Sequence, residues 1–146
     1  MKELEACIAK GLISKTQSVD ERIIGKELVQ AQHDLDAACD SLEAGHLQWA
    51  CTQAYYCVFH AAKALLYAKG YKERSHSCLA AAVKELYEKE MERSLLESIE
   101  ELRLLREEAN YELSEVKESA AESSVEEARE FLSNASKLLK SKKRTH

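Results

Sequence analysis

Arginine and amide side chains at helical spacing in the second half of the chain have the chemistry to hold a phosphate group. Arg103, Arg106 and Asn110 are three and four residues apart, so a helix places them along one flank. Guanidinium groups match phosphate oxygens in geometry and charge. Leu104 and Tyr111 fall on a different face and suggest a second contact surface, for a partner subunit. The alternative for the arginines is ordinary ion pairing with neighbouring glutamates, which are Glu100, Glu107 and Glu112.

A second candidate lies in residues 54–66, which read AYYCVFHAAKALL. On a helical projection this stretch is mostly apolar, but one narrow face, here called the polar stripe, carries polar and aromatic side chains. The polar stripe consists of Trp49, Gln53, Tyr56, His60, Lys63 and Tyr67. Tyr56, His60 and Lys63 could bind a phosphate or a nucleobase by hydrogen bonding and stacking. Alternatively, the polar stripe packs against another helix or a second subunit.

The third candidate is the sequence Ser75-His76-Ser77 at the predicted start of a helix. The N-terminus of a helix carries free backbone N–H groups and a partial positive charge, so together with two hydroxyls and an imidazole it can receive an anion. In the simpler alternative, Ser75 only caps the helix and His76 is exposed.

Other kinds of site are not indicated. Carboxylates are dispersed and lack metal-binding spacing with a histidine, and no glycine-rich phosphate loop is present. The odd number of cysteines and the lack of a Cys-x-x-Cys pair argue against zinc and redox chemistry. We therefore expect no metal, no cofactor and buried free thiols at the five cysteines, which are Cys7, Cys39, Cys51, Cys57 and Cys78.

The elements that must position these residues are predicted to be helices, because the chain has no proline and only four glycines. Helical periodicity predicts six of them, over residues 3–14, 21–44, 46–69, 76–89, from about 90–93 to 117, and 124–139. Ser18 or Asp20 is the expected N-cap of the second helix, and Ser75 that of the fourth. Gly45 and Gly70 are expected to end the second and third helices. A capping-box pattern starting at Ser124 is expected to open the last.

Short connections predict an up-and-down antiparallel helical bundle, as a single domain over residues 1–146 with a core at about 21–139 and a frayed basic tail at 140–146. The net charge of −5 provides no general field favouring nucleic acid, so any RNA contact depends on a local basic patch. The first residues are too polar for a signal peptide, and no apolar run approaches the ~20 residues that span a bilayer. We therefore expect a cytoplasmic protein without membrane contact.

Taken in order, AYYCVFHAAKALL, a glycine, Ser75-His76-Ser77 and Arg106-Glu-Glu-Ala-Asn-Tyr111 resemble the HEPN family (higher eukaryotes and prokaryotes nucleotide-binding domain), in its small stand-alone prokaryotic branch. The similarity extends over about residues 30–134. This resemblance implies a bundle of about five helices that commonly forms a homodimer. It also implies a minimal nucleotidyltransferase as partner, in a two-component or toxin–antitoxin pair.

Many HEPN proteins are metal-independent ribonucleases whose motif is an arginine, four to six residues and a histidine. By this resemblance Arg106 matches the motif arginine, but Tyr111 stands where the histidine would be. A tyrosine, with an ordinary pKa near ~10, is a poor general base at neutral pH. The Arg-x-x-Ala-Asn-Tyr version resembles the branch associated with nucleotidyltransferase partners and nucleotide binding.

We therefore expect a non-catalytic HEPN homodimer that binds a nucleotide, or the substrate of a nucleotidyltransferase partner. The residues expected to line its cleft are Arg106, Asn110, Tyr111 and His76. Two alternatives remain open. The chain could be a ribonuclease toxin in which His60 or His76 acts with Arg106 in place of the missing histidine. It could also be a structural adaptor that uses Leu104, Tyr111 and the polar stripe as contact surfaces.

Overall fold

Six helices and a small sheet make up the part of the chain that the computed structural model describes, residues 2–111 and 115–143. Side chains are described for residues 3–110 and 115–140. The helices are α1 (Lys2–Ala9), α2 (Glu21–Glu43), α3 (Leu47–Ala68), α4 (His76–Leu86), α5 (Arg93–Tyr111) and α6 (Glu118–Lys143). The strands β1 (Ile13–Lys15) and β2 (Tyr71–Glu73) pair antiparallel. The prediction of an all-α helical bundle is confirmed, with this two-stranded sheet as a minor addition.

α3 is the central helix and contacts α2, α4, α5 and α6. Because it is apolar around most of its circumference, a buried position is the stable one. Small side chains let its neighbours approach closely, and the fully buried ones include Ala54, Ala61, Ala62 and Ala64. The predicted glycine stops are confirmed: Gly45 and Gly70 follow α2 and α3 with φ of +78° and +91°, a conformation that favours glycine.

α2 and α3 form an antiparallel hairpin. The side chains of Ser41 and Gln53 lie 2.7 Å apart near the connection, while the hydroxyl of Tyr67 accepts a hydrogen bond from the backbone N–H of Asp20 at the far end. Asp20 is the N-cap of α2, as one of the two predicted alternatives, and its carboxylate accepts a hydrogen bond of 2.9 Å from the backbone N–H of Arg22. The short connection thus gives the antiparallel arrangement expected for this pair.

α4 runs in the same direction as α3, which differs from the antiparallel arrangement expected of sequential helices. The hydroxyl of Tyr55 lies 2.6 Å from Nδ1 of His76, and the hydroxyl of Tyr87 donates to the carbonyl of Leu65. From Tyr55 to the end of α3 the helix rises about 20 Å. The extended stretch after Gly70 covers a similar distance in a few residues, because a strand rises about 3.3 Å per residue. The chain therefore returns to the level of Tyr55, in the first half of α3, before α4 begins.

Several predicted helix ends are wrong. Helix one ends at Ala9 rather than at residue 14, because residues 13–15 pair with β2. α4 ends at Leu86, and residues 115–117 are not helical. α6 begins at Glu118, so Ser124 does not cap it; its side chain is buried inside the helix and donates to the carbonyl of Ala120. In the predicted basic tail, residues 144–146 lie outside the described residues.

The expectation of free thiols is wrong for two of the five cysteines. Cys7 and Cys78 form a disulfide with their Cα atoms 6.0 Å apart, across 71 residues of sequence. Cys39, Cys51 and Cys57 are free, and burial raises the pKa of the Cys57 thiol to about 12. Within the described residues, no helix has the length and apolar character needed to cross a membrane.

Candidate anion-binding site

Arg106, Tyr55 and His76 come together from three different helices. The hydroxyl of Tyr55 on α3 lies 2.6 Å from Nδ1 of His76, the first residue of α4. The guanidinium carbon of Arg106 on α5 lies 5.6 Å from the centre of the Tyr55 ring and 5.4 Å from that of Tyr56. Arg106 and His76 are predicted site residues thirty positions apart in sequence, and both contact Tyr55.

Arg106 is the least satisfied cation of this group. Among the described residues, its buried Nε has no hydrogen-bond partner, and no carboxylate forms an ion pair with its guanidinium. The faces of Tyr55 and Tyr56 attract the guanidinium, but an aromatic face does not replace a hydrogen-bond acceptor. Because a buried donor without a partner costs about 1–3 kcal/mol, an anion that accepts from Arg106 gains free energy.

His76 is held on two sides. Its ring stacks on that of Phe59 with the centres 4.2 Å apart, and Ser75 caps α4 by accepting a hydrogen bond from the backbone N–H of Cys78. Burial lowers the pKa of His76, and the positive charges of Arg106, Arg103 and Lys63 lower it further, against the opposing effect of Glu73. His76 is therefore neutral at pH 7.

The hydroxyl of Tyr55 determines which nitrogen of His76 carries the proton. Tyr55 is 1% exposed and burial raises its pKa, so the hydroxyl keeps its proton. Among the described residues, His76 is the acceptor available to that proton. If Tyr55 donates to Nδ1, the proton of the neutral imidazole resides on Nε2. Nε2–H is then a hydrogen-bond donor, as is the guanidinium of Arg106.

Arg103 makes the ion pairs that the sequence offered as the alternative. Its guanidinium lies 2.6 Å from a carboxylate oxygen of Glu100 and 2.9 Å from one of Glu107. The hydrogen bond to Glu100 raises the pKa of Arg103. Arg103 therefore contributes positive charge near His76, while its own hydrogen-bond donors are largely occupied.

Asn110 connects α5 to the start of α3. Its side-chain oxygen accepts hydrogen bonds from the amide of Gln48 at 3.2 Å and from the hydroxyl of Thr52 at 3.3 Å. These bonds fix the end of α5 against α3, one turn beyond Arg106. α5 ends at Tyr111. The backbone of this residue is described, but its side chain lies outside the described part of the chain.

His60 and Lys63 form a separate cluster with carboxylates. His60 Nδ1 lies 2.9 Å from Glu27, and its Nε2 lies 3.8 Å from Asp34. Lys63 lies 3.6 Å from Glu27 and 3.7 Å from Glu73. This half of the polar stripe packs against α2 with its polar tips paired, as in the packing alternative. His60 and Lys63 are thus less available to a ligand than Arg106 and His76.

With this geometry established, comparison with known proteins identifies the family. The sequence model of the HEPN domain matches residues 26–143. The chain belongs to the HEPN domain family. The UPF0332 protein PH1297 of Pyrococcus horikoshii is 43% identical to this HEPN protein over 54 residues, which are 37% of this chain and 38% of that protein.

A solved structure has the same fold as this HEPN protein. The crystal structure of TT1696 from Thermus thermophilus superposes with a TM-score of 0.66 at 23% identity, over 78% of this chain and 96% of that one. At this level of identity the similarity concerns the fold alone. The HEPN match begins at residue 26, so α1, β1 and the first residues of α2 lie outside it.

Sequence reasoning placed Arg106 and His76 among the candidates of this HEPN domain but missed Tyr55 and Phe59. Both fall on the apolar arc of α3, where periodicity predicts core packing. One feature of the sequence indicates a role for Tyr55. A tyrosine on a buried, alanine-rich face needs a partner for its hydroxyl, and that partner is His76.

Proposed function

We propose that this HEPN protein binds a nucleotide through its phosphate at Arg106 and His76, and that it is not itself catalytic. The observation that carries the proposal is the buried, unpartnered Nε of Arg106 beside a neutral His76. Both side chains can act as hydrogen-bond donors to a ligand. Arg106 supplies the charge that a phosphate requires, and His76 adds Nε2–H at the positive end of α4.

The same arrangement disfavours general base catalysis. A histidine base must accept a proton on a free nitrogen, but the lone pair of Nδ1 is used by Tyr55, and Nε2 already carries a proton. The half-buried ring of Tyr56 lies beside Arg106 and offers a face on which a nucleobase could stack. A phosphate-binding group at Arg106 beside a stacking surface at Tyr56 would match the phosphate and the base of one nucleotide.

The HEPN match also supports the proposal that the ligand is shared with a nucleotidyltransferase partner. The motif Arg-x-x-Ala-Asn-Tyr at residues 106–111 resembles that of the branch associated with such enzymes, with Asn110 where many of its members have an aspartate. In a toxin–antitoxin-like pair of this kind, the HEPN chain would bind the nucleotide or present a substrate to the partner. Co-purification of the two proteins, with and without ATP, tests this role.

Isothermal titration calorimetry with AMP, ATP and inorganic phosphate tests the binding site. We expect Arg106→Gln to weaken nucleotide binding about tenfold to a hundredfold, because a hydrogen bond to a charged group contributes about 1.5–3 kcal/mol. Arg93→Gln is the matched control, since Arg93 lies on the same helix and pairs with Glu97. Absence of binding to the wild type, alone and with a partner enzyme, would overturn the proposal, as would equal affinity in both variants.

A ribonuclease is the second candidate, favoured by one observation: Arg106 and a neutral His76 share the ring of Tyr55. Incubation of the purified protein with RNA distinguishes it from the first. Cleavage that Arg106→Ala and His76→Ala both abolish would establish the ribonuclease and overturn the proposal that the protein is not catalytic. Because His60 is paired with Glu27, His60→Ala is expected to leave any cleavage unchanged.

We further propose that the chain forms a homodimer through the N-terminal end of the polar stripe, at Trp49. Trp49 is 59% exposed there, which is a large apolar surface for a monomer to leave in water. Sedimentation of the wild type and of Trp49→Lys tests this interface, with Leu104→Lys, at an exposed leucine of α5, as the comparison. If both variants sediment like the wild type, the dimer proposal fails, and with it the adaptor alternative.

A further inference from the structure

The first sixteen residues contact the chain on both sides of His76. On the N-terminal side, β1 pairs with β2, with Ile13 opposite Glu73. The backbone N–H of Arg74 then donates to the carbonyl of Leu12 at 2.7 Å. Ile13 is 1% exposed, so this pairing is anchored in the core. The stretch that leads into His76 is therefore held by a segment that precedes the HEPN match.

On the C-terminal side the contact is covalent. Cys78, two residues after His76, is bonded to Cys7 at the end of α1. At the other end of α1, the backbone N–H groups of Glu3 and Leu4 donate to the carboxylate of Glu85. α1 therefore lies antiparallel along α4, and its two ends are fixed to the two ends of that helix.

The disulfide matters because α1 is short. An isolated helix of eight residues is marginal in water, since the cost of nucleation is not recovered over two turns. Its position on α4 depends on the disulfide and on contacts at its N-terminus. Cys7 and Cys78 also retain a small exposed fraction, 8% and 7%, so fraying of α1 gives a small reductant access.

We propose that the Cys7–Cys78 disulfide positions His76 for ligand binding, and that its reduction weakens the anion site. A dithiol carries out the reduction. One thiolate attacks a sulfur of the disulfide, and the released cysteine leaves as a thiolate that takes a proton. The second thiol of the reductant then displaces the other cysteine, so two electrons pass to the protein and the reductant becomes a disulfide. The first turn of α4 thereby loses its covalent attachment to α1.

The effect on the ligand rests on the proposed function, but the effect on His76 does not. In the oxidised protein, Cys78 fixes the first turn of α4 while Tyr55 and Phe59 hold the imidazole ring. In the reduced protein, the remaining restraints on that turn are non-covalent: β1, the Ser75 cap, the buried Leu79, and the contacts of Tyr55 and Phe59 with the ring. His76 then samples positions in which its Nε2–H no longer points at the ligand of Arg106.

The test follows the ring of His76 by ¹⁵N-edited NMR and measures AMP affinity, in oxidised protein and after reduction with dithiothreitol. We expect the His76 signals to shift and broaden on reduction, while those of His60, which is held by Glu27, stay unchanged. AMP affinity should fall about fivefold, the effect of losing one well-placed hydrogen bond, and return on reoxidation. Cys7→Ser should give the reduced values under both conditions. Cys39→Ser, at a free cysteine, should respond to reduction as the wild type does.

Three results would overturn the proposal. One is five free thiols in the oxidised protein by mass spectrometry after alkylation. Another is a His76 signal that reduction leaves unchanged. The third is loss of helical circular dichroism on reduction, since the bond would then serve overall stability. If His76 responds as expected but no form of the protein binds AMP or inorganic phosphate, the positioning role stands and the proposed binding function fails.

Discussion

At the scale of single residues, Tyr55 contacts both groups that we propose as ligand-binding, Arg106 and His76. Its hydroxyl bonds to His76 and its ring lies beside Arg106. A phenylalanine would keep the second contact and lose the first. The hydroxyl is therefore the feature that makes His76 a donor, and the pKa of His76 reports on it.

Tyr55→Phe is expected to raise the pKa of His76. In the wild type, protonation of His76 at Nδ1 removes the acceptor of the buried Tyr55 hydroxyl proton, and this cost is absent when residue 55 is phenylalanine, so protonation becomes easier. NMR titration of the His76 ring measures the change. Tyr87→Phe is the matched control, because Tyr87 is also buried and its hydroxyl also donates a bond of 2.6 Å, to Leu65. Both variants should lose about 1 kcal/mol of stability. A His76 pKa unchanged in Tyr55→Phe, or changed equally in both, contradicts the assignment.

The stability of the protein is expected to depend on His76 in acid. The folded state lowers the pKa of His76 below its ordinary value near 6.5, so the unfolded chain binds more protons between the two values. The contribution of His76 is thus complete above about pH 6.5 and is lost as the pH falls through the folded pKa. Urea unfolding of the wild type and His76→Gln from pH 8 to pH 5 measures it. The stability difference should shrink on acidification, and a constant difference would show that His76 is not the group responsible.

At the scale of elements, periodicity located the long helices and missed features that depend on distant parts of the chain. α2 and α3 were predicted to within one residue at each end, because their apolar positions recur at helical spacing and glycines follow them. β1 has three residues, and its partner β2 lies more than fifty residues away, so no local pattern reveals it. The prediction that the last helix begins at Ser124 is wrong because residues 118–123 also form helix readily.

Two glycines give opposite predictions. Gly25 lies inside α2 with space around its α-carbon, so Gly25→Ala should stabilise the protein by about 0.5–1 kcal/mol. Gly70 also has space but adopts φ of +91°, so Gly70→Ala should destabilise it by about 1 kcal/mol or more through backbone strain alone. Chemical denaturation of the two variants tests both signs. If Gly70→Ala is neutral, the end of α3 does not require the left-handed conformation.

At the scale of the whole molecule, charge limits what the site can bind. The net charge is −5, and the cations Arg103 and Lys63 are already paired with carboxylates. Near His76, Arg106 is thus the cation whose buried Nε has no partner in the described part of the chain, while Arg74, two residues before His76, is exposed. So few available charges suit a single phosphate group, whereas a bound RNA strand needs a row of cations.

Binding is therefore expected to depend only weakly on salt. A ten-nucleotide single-stranded RNA should bind no more tightly than AMP at 0.15 M salt, and the logarithm of its affinity should fall with the logarithm of salt concentration with a slope no steeper than about −1. For single-stranded RNA, each phosphate that the protein contacts adds about −0.7 to this slope. Fluorescence anisotropy between 50 and 300 mM salt measures the slope. A slope of −3 or steeper would indicate a nucleic-acid surface and contradict the single-phosphate site.

The sequence therefore predicted the position of each candidate residue along its helix better than it predicted the residues that each one contacts. Arg106 and Asn110 were placed on one flank correctly, because helical geometry is local. The meeting of Arg106 with His76 across Tyr55 could not be predicted, since it depends on α4 running parallel to α3. The Cys7–Cys78 disulfide was missed for the same reason, because its two partners are brought together by the tertiary fold.

The extended stretch between Gly70 and Ser75 also constrains chain length. Each of its residues advances the chain about 3.3 Å, so one residue fewer would leave His76 that far short of Tyr55, to which it is bonded at 2.6 Å. A change of one residue would also turn the β2 side chains to the opposite face of the sheet. Surface connections commonly tolerate insertions and deletions, but we expect this one not to tolerate them. Homologues that keep the site should therefore keep the number of residues between the end of α3 and the start of α4.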